Sequence, residues 1–250
     1  KPKSPGDDVI IDRDWVRAAR FASRIPGFIQ VGEKIVAYDP SGQGKDMNAV
    51  VFADGNIIKM IDEWLKSPDL REATYRAYDH AIRLHADRFV YDTCGGLGDG
   101  VSVFVDDKRE LTIEELYNLT SQESEQSRRD GFSIETEEER VTYAFDAGGT
   151  VVNPDEEIAG TGKTWGERCS NAKAQAHMVS AQKLYNTYRF VALGERDIDP
   201  SDMISIDIED DGLFNKLVNI CDNSGNSTNT WSRFSFHEHQ RVISPFSVIK

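Results

Sequence analysis

The chain has only three cysteines in 250 residues: Cys94, Cys169 and Cys221. An odd number at wide spacing excludes a disulfide scaffold and a zinc-ligand pattern, and it points to a reducing compartment. No apolar run comes near the roughly 20 residues that a membrane-crossing helix requires, so no membrane association is expected. The opening KPKSPGDDV is too polar for a signal peptide. Positive charge is also scarce. Lys and Arg number 29 against 43 Asp and Glu, a formal net charge of −14, which argues against broad unassisted adsorption to nucleic acid. A nucleic-acid enzyme is still admissible, because acids around a metal pocket count as negative until cations bind. There is no internal repeat. The 39% hydrophobic and 29% charged residues describe an ordinary globular chain, long enough for one large or two small domains.

The chain is organised around residues 34–53. Residues 34–38 form a β-branched and aromatic run that predicts a buried strand, delivering Asp39 at its C-terminal end. Pro40, Ser41, Gly42, Gln43 and Gly44 make the turn that follows. A second apolar run over 49–53 leads into Asp54-Gly55, a dipeptide suited to a tight hairpin, and a third strand over 57–64. A carboxylate at the mouth of a rigid strand can hold a hard divalent cation, which seeks oxygen ligands. Its plainer role is a turn or capping aspartate.

The remaining elements follow in order. Residues 1–8 read as a linker from something longer. Asp12 or Asp14 caps a short helix over 15–23. Ser67-Pro68 fits a helix start, with Ser as N-cap, for a helix over 69–85. A fourth strand over 88–91 ends on Asp92 and runs into the glycine-rich Thr93-Cys94-Gly95-Gly96-Leu97-Gly98-Asp99-Gly100. A helix begins near Val101. The acidic stretch 106–140 has little apolar periodicity after Leu119; within it 121–130 reads as a surface excursion or mobile flap and 113–119 as a short helix. A fifth strand over 140–145 leads to Asp146. A long amphipathic helix spans 170–193, another helix 213–220, and an alternating strand or hairpin 231–236. Strand-strand-strand-helix-strand-helix-strand-helix predicts an α/β fold: a mixed five-stranded sheet with helices on both faces.

Several motifs have duller explanations. Gly162-Lys163-Thr164 ends like a phosphate-binding loop, but Glu157 stands where that loop needs its first glycine. Residues 95–100 depart from the dinucleotide-binding glycine spacing. His237-Glu238-His239 puts two imidazoles on one face of an alternating strand, where a solvated edge explains them. What remains is acids. Two-metal phosphodiester hydrolysis needs carboxylates converging from different elements. Asp39 and Asp92, each ending a strand, are such a pair. Asp46, past the first turn, and Asp146, after the fifth strand, are further candidate ligands.

The run Val36-Ala37-Tyr38-Asp39-Pro40-Ser41-Gly42-Gln43-Gly44-Lys45-Asp46, followed by Phe89-Val90-Tyr91-Asp92-Thr93-Cys94-Gly95-Gly96-Leu97-Gly98, resembles the nuclease domain of tailed-bacteriophage large terminase subunits. Asn171-Ala172-Lys173-Ala174-Gln175 is similar to the segment that opens a helix in that family. Ile11-Asp12-Arg13-Asp14-Trp15-Val16 is similar to the segment leaving its ATPase domain. The resemblance implies a ribonuclease H-like fold and a metal-dependent endonuclease cutting concatemeric viral double-stranded DNA during packaging, with Mg2+ or Mn2+ at a two-metal site. Asp39 and Asp92 carry over as catalytic metal ligands, and Asp46 as a further acid. The family's last metal-binding Asp follows a Ser-Pro turn; here Ser244-Pro245 is followed by no acid, and Asp146 is the alternative donor. Also implied are residues 1–30 as a linker and short helix from an upstream ATPase domain, residues 31–250 as the nuclease domain, and the small terminase subunit and portal as partners. The expected location is the host cytoplasm, transiently at the procapsid.

Two rival readings stand beside it. One is an actin-like or sugar-kinase-like ATP phosphotransferase, since Asp146-Ala147-Gly148-Gly149-Thr150 is similar to a second phosphate loop of that superfamily. The other is a non-catalytic docking module whose acids are merely solvated.

Overall fold

The computed structural model describes residues 11–41, 47–65, 69–93, 97–158 and 160–222. Its strands are β1 (Lys34–Asp39), β2 (Asn48–Asp54), β3 (Ile57–Trp64), β4 (Arg88–Asp92), β5 (Val141–Phe145), β6 (Glu157–Ile158), β7 (Lys163–Thr164) and β8 (Ser205–Ile206). Its helices are α1 (Arg13–Ala19), α2 (Leu70–Arg83), α3 (Gly98–Tyr117), α4 (Ser121–Arg129), α5 (Ile134–Glu139), α6 (Trp165–Arg168), α7 (Ala172–Ala192) and α8 (Asp211–Asp222). The main sheet has six strands in the order β5-β4-β1-β2-β3-β8, and β6-β7 is a separate antiparallel pair. The expected mixed sheet is present. The sixth member, β8, is a two-residue strand, too short to leave a periodic signal. The chain divides into two compact units.

One unit comprises Glu33–Phe52 and Asp62–Ala147. In it β1, β4 and β5 pair in parallel, Val36 beside Phe89 and Phe89 beside Thr142. Strand alternation sends Val36, Tyr38, Phe89 and Tyr91 to one face. There Tyr78 of α2 meets Phe89 edge-on, with ring centroids 5.2 Å apart, and Tyr38 lies parallel to Trp64 at 6.2 Å. Helix α2 starts on Asp69, whose carboxylate accepts from the Arg71 amide; the cap is therefore Asp69 and not Ser67. An aspartate serves the same orphan amides as a serine and stands next to the first helical residue.

The acidic stretch is helical over most of its length, and α4, which covers the expected excursion, buries no residue. Helix α3 runs unbroken for 20 residues, burying Val101, Val105 and Thr112. After it, Thr120 and Glu123 form a reciprocal capping box that starts α4, and Ser133 caps α5. Glutamate is a good helix former, and these caps satisfy the first amides, so high charge and helix coexist. Helix α5 then anchors the end of the excursion with a buried ion pair. Arg140 donates to Glu137 and to the carbonyls of Ala81 (2.7 Å) and Ala86 (2.6 Å), while Arg109 donates to the Arg140 carbonyl at 2.6 Å. Both charged side chains of the pair are 1% exposed.

The other unit comprises Lys1–Gly32, Ala53–Ile61 and Gly148–Lys250. Asp12 caps α1, which ends at Ala19, short of the expected Ser23; a separate 3-10 turn covers Ala22–Arg24. Trp15 of α1 packs on Tyr185 of α7 with centroids 4.9 Å apart. The Asn171 side chain caps α7 at the Ala174 amide. Thr187 of α7 both donates to the Ile204 carbonyl and accepts from the Ile204 amide, at 2.9 Å each, fixing the approach to β8. Ile57 and Ile58 of β3 pair in parallel with Ser205 and Ile206. The β2–β3 turn is as tight as Asp54-Gly55 predicts. Gly55 has φ +62°, and a Cβ there would lie 2.3 Å from the Val31 carbonyl oxygen, so only glycine fits. The expected strand over 231–236 and the histidines 237 and 239 lie outside the described residues. Among the described residues no helix is long and apolar enough to cross a membrane.

Removing one member of a buried pair strands the other charge. Glu137→Ala is expected to cost about 3–5 kcal/mol in urea unfolding, with Glu137→Gln losing less because it still accepts a hydrogen bond. A second expectation concerns acid. Burial, helped by the Lys173 charge, pulls His177 of α7 down to about 4. Its folded value lies below the unfolded value of about 6.5, so the unfolded chain binds the extra proton first and stability falls from pH 6.5 towards pH 4. His177→Gln should flatten that decline relative to the parent in unfolding midpoints measured at pH 7 and pH 5.

Candidate metal centre

The centre is built by register. Strands β1 and β4 pair in parallel from Ile35 beside Arg88 to Tyr38 beside Tyr91. One further step brings the last residue of β1, Asp39, alongside the last residue of β4, Asp92. Adjacent strands set such Cα atoms about 4.8 Å apart with both side chains on one face. This is the face opposite Tyr38 and Phe89. Asp39 is 8% exposed and Asp92 is half-buried. The pair predicted from sequence is brought together.

Asp92 in turn lies beside Phe145 of β5. Thr93 donates twice to the Phe145 carbonyl, from its amide at 3.0 Å and its hydroxyl at 3.2 Å, tying down the rim. Asp146 stands one residue past Phe145 and is exposed, so the register does not set it beside the pair. Asp46 lies outside the described residues, as do Cys94, Gly95 and Gly96. Among the described residues no group of three or more His, Cys, Asp or Glu side chains is arranged to hold a metal ion. The two strand-end carboxylates, Asp39 and Asp92, are the candidate ligands that the described residues supply.

Sequence reasoning missed the group that fixes the Asp39 mouth. Asn48, the first residue of β2, is 1% exposed, and its Oδ1 accepts from both the Tyr38 hydroxyl and the Ser41 amide, each at 3.0 Å. One oxygen thus ties together the residue before Asp39 and the residue two after it. Pro40 between them has a fixed φ and no amide to satisfy. Burial pushes the Tyr38 phenol up; a hydrogen bond with Thr74 opposes the shift, and the Asp39 charge adds to it. The phenol therefore remains a donor throughout the physiological range. The only sequence trace of this clamp is a polar residue heading an otherwise apolar strand.

The donor set suits a hard cation. Two carboxylate residues, rather than nitrogen or sulfur donors, end the neighbouring strands β1 and β4. The Ser41 hydroxyl, two residues past Asp39, is buried and has no hydrogen-bond partner among the described residues. A buried hydroxyl normally has one.

A mixed sheet of an antiparallel hairpin followed by parallel, acid-terminated strands, with helices, is the ribonuclease H-like fold of terminase nuclease domains. The chain matches no family model. No curated protein matches it. Among solved structures it is similar to the nuclease domain of the large terminase subunit gp2 of bacterial virus Sf6, with a TM-score of 0.66 and 26% identity over 85% of this chain and 80% of that one. A mutant of that subunit solved with calcium matches at 0.64 with 26% identity, over 85% of this chain and 81% of that one. A mutant of the same domain with manganese and beta-thujaplicinol matches at 0.66 with 26% identity, over 85% and 80%.

Removing the Asn48 side chain leaves a buried amide and a buried phenol short of their acceptor. Asn48→Ala is expected to destabilise the fold by about 2–3 kcal/mol in chemical denaturation.

Proposed function

We propose that the chain is a metal-dependent endonuclease that cuts concatemeric viral double-stranded DNA during genome packaging, by two-metal phosphodiester hydrolysis. One observation carries the reading: Asp39 and Asp92 end adjacent parallel strands, each one residue past the paired Tyr38 and Tyr91. The similarity to terminase nuclease domains, one of them solved with manganese, supports it.

Asp39 and Asp92 hold Mg2+ or Mn2+, with Asp46 as a further ligand and Asp146 as the reserve donor. Bound divalent ions lower the pKa of water and stabilise the leaving oxygen of the phosphodiester. The protein's own contribution is placement. The β1–β4 register holds the two carboxylates side by side, the Asn48 clamp fixes the chain after Asp39, and Thr93 fixes the rim beside Asp92. Burial of Asp39 keeps water from screening its charge, which strengthens its hold on a cation. The net charge of −14 fits a substrate held at this centre rather than over the whole surface.

By the same similarity, an upstream ATPase domain of the same subunit, the small terminase subunit and the portal are its proposed partners. The host cytoplasm and, transiently, the procapsid are its proposed location.

Incubation with supercoiled plasmid and Mg2+ or Mn2+ should yield nicked and then linear DNA, and EDTA should stop it. Asp39→Ala and Asp92→Ala should each abolish cutting while leaving the far-ultraviolet circular dichroism of the fold intact. Cutting that survives either change, or proceeds in EDTA, refutes the assignment.

A further inference from the structure

The pairing that sets the two acids side by side also orders the rest of their face. Asp92 lies beside Phe145 of β5, and Val90 lies between Ala37 of β1 and Tyr143 of β5. Strand alternation therefore puts Val141, Tyr143 and Phe145 on the face that carries Asp39 and Asp92. The inner columns of that face are covered, since Ala37 and Val90 are both buried. The outer column is open. Strand β5 is the edge of the sheet, and Tyr143 is 54% exposed.

Distance decides what Tyr143 meets. It stands two residues back from Phe145, about 6.6 Å along the strand, and one strand across from Asp92, about 4.8 Å, so the two Cα atoms are about 8 Å apart. A DNA duplex is wide by comparison, its major groove alone spanning about 12 Å. A duplex that brings a phosphodiester to Asp39 and Asp92 on this face therefore lies over Tyr143 as well. Free positive charge is scarce around it. Arg88, four residues before Asp92, is engaged by Glu33 at 2.5 Å, and Arg71, Arg76 and Lys108 of α2 and α3 each pair with an aspartate. Phosphate oxygens also accept from uncharged donors, tyrosine among them. The strand Val141-Thr142-Tyr143-Ala144-Phe145 carries no acid of its own to repel a phosphate.

We propose that Tyr143 is a substrate-binding residue of this centre, its phenol donating to a backbone phosphate of the DNA strand held at Asp39 and Asp92. The inference rests on the nuclease reading of that pair.

The test uses the whole 250-residue chain, supercoiled plasmid and Mn2+. Steady-state cutting is followed for the parent, Tyr143→Phe and Asp39→Ala, with Tyr117→Phe, an exposed tyrosine that ends α3, as the control. A hydrogen bond to a charged group that is made equally in the ground and transition states lowers KM without raising kcat. Tyr143→Phe should therefore raise KM about 10-fold and leave kcat within about two-fold. Its melting temperature should match the parent's, because an exposed hydroxyl supports no packing. A phenol displaces no counterion, so the slope of log KM against log salt should also match. An unchanged KM overturns the proposal. So does an equal rise in Tyr117→Phe, a lowered melting temperature in Tyr143→Phe, or an altered salt slope. If the parent does not cut, or Asp39→Ala cuts as the parent does, the nuclease reading fails and takes this one with it. If the parent cuts, Asp39→Ala does not, and Tyr143→Phe matches the parent, only this inference falls.

Discussion

The parallel register between β1 and β4 is the constraint on which the rest depends. Pairing runs from Ile35 beside Arg88 to Tyr38 beside Tyr91, and one further step in the same register carries Asp39 alongside Asp92. A slip of one residue would place the two carboxylates on opposite faces of the sheet, because the side-chain period is two. What prevents the slip is the far face. Val36 and Tyr38 of β1 and Phe89 and Tyr91 of β4 are all buried, Phe89 against Tyr78 of α2, so a shifted strand would turn this aromatic layer away from its helix. The hydrophobic face sets the register, and the register sets where the two strand-end acids stand.

Polar interactions then refine what packing has fixed. The Asn48 oxygen ties Tyr38 to Ser41 across Asp39, and the Glu137–Arg140 network joins the end of α5 to α2 just before β5 begins. The buried ion pair is not a source of stability by itself, since desolvating two charges offsets most of their attraction. Arg140 satisfies two carbonyls, at the end of α2 and in the following turn, immediately before β5 pairs with β4.

The long helical excursion shows where sequence signals mislead. Residues 106–140 show little apolar spacing after Leu119, and 121–130 read as a surface excursion or mobile flap, yet α4 and α5 form there with caps at Thr120 and Ser133. Glu137 was indistinguishable from its neighbours Glu138 and Glu139 by sequence, although it is 0% exposed overall and they face solvent. Burial of one acid in a run of three depends on an arginine three residues away and carbonyls over 50 residues distant, which no local pattern encodes. The short strand β8 was unreadable for a similar reason: two residues become a strand only because Ile57 and Ile58 are there to pair with them.

Local chemistry was therefore enough for the apolar strands, the Gly55 turn, the boundaries of α7 within two residues, and the two acids that end β1 and β4. Each is written in side-chain period, steric freedom or capping over a few neighbouring positions, and the ordered pair of motifs also carried the likeness to terminase nucleases. Adjacency was beyond its reach. That the ends of β1 and β4 stand beside each other, and that Arg140 meets the carbonyls of Ala81 and Ala86, follow from contacts between segments distant along the chain. Such contacts are chosen by the shared burial of whole surfaces, a property that no single stretch possesses.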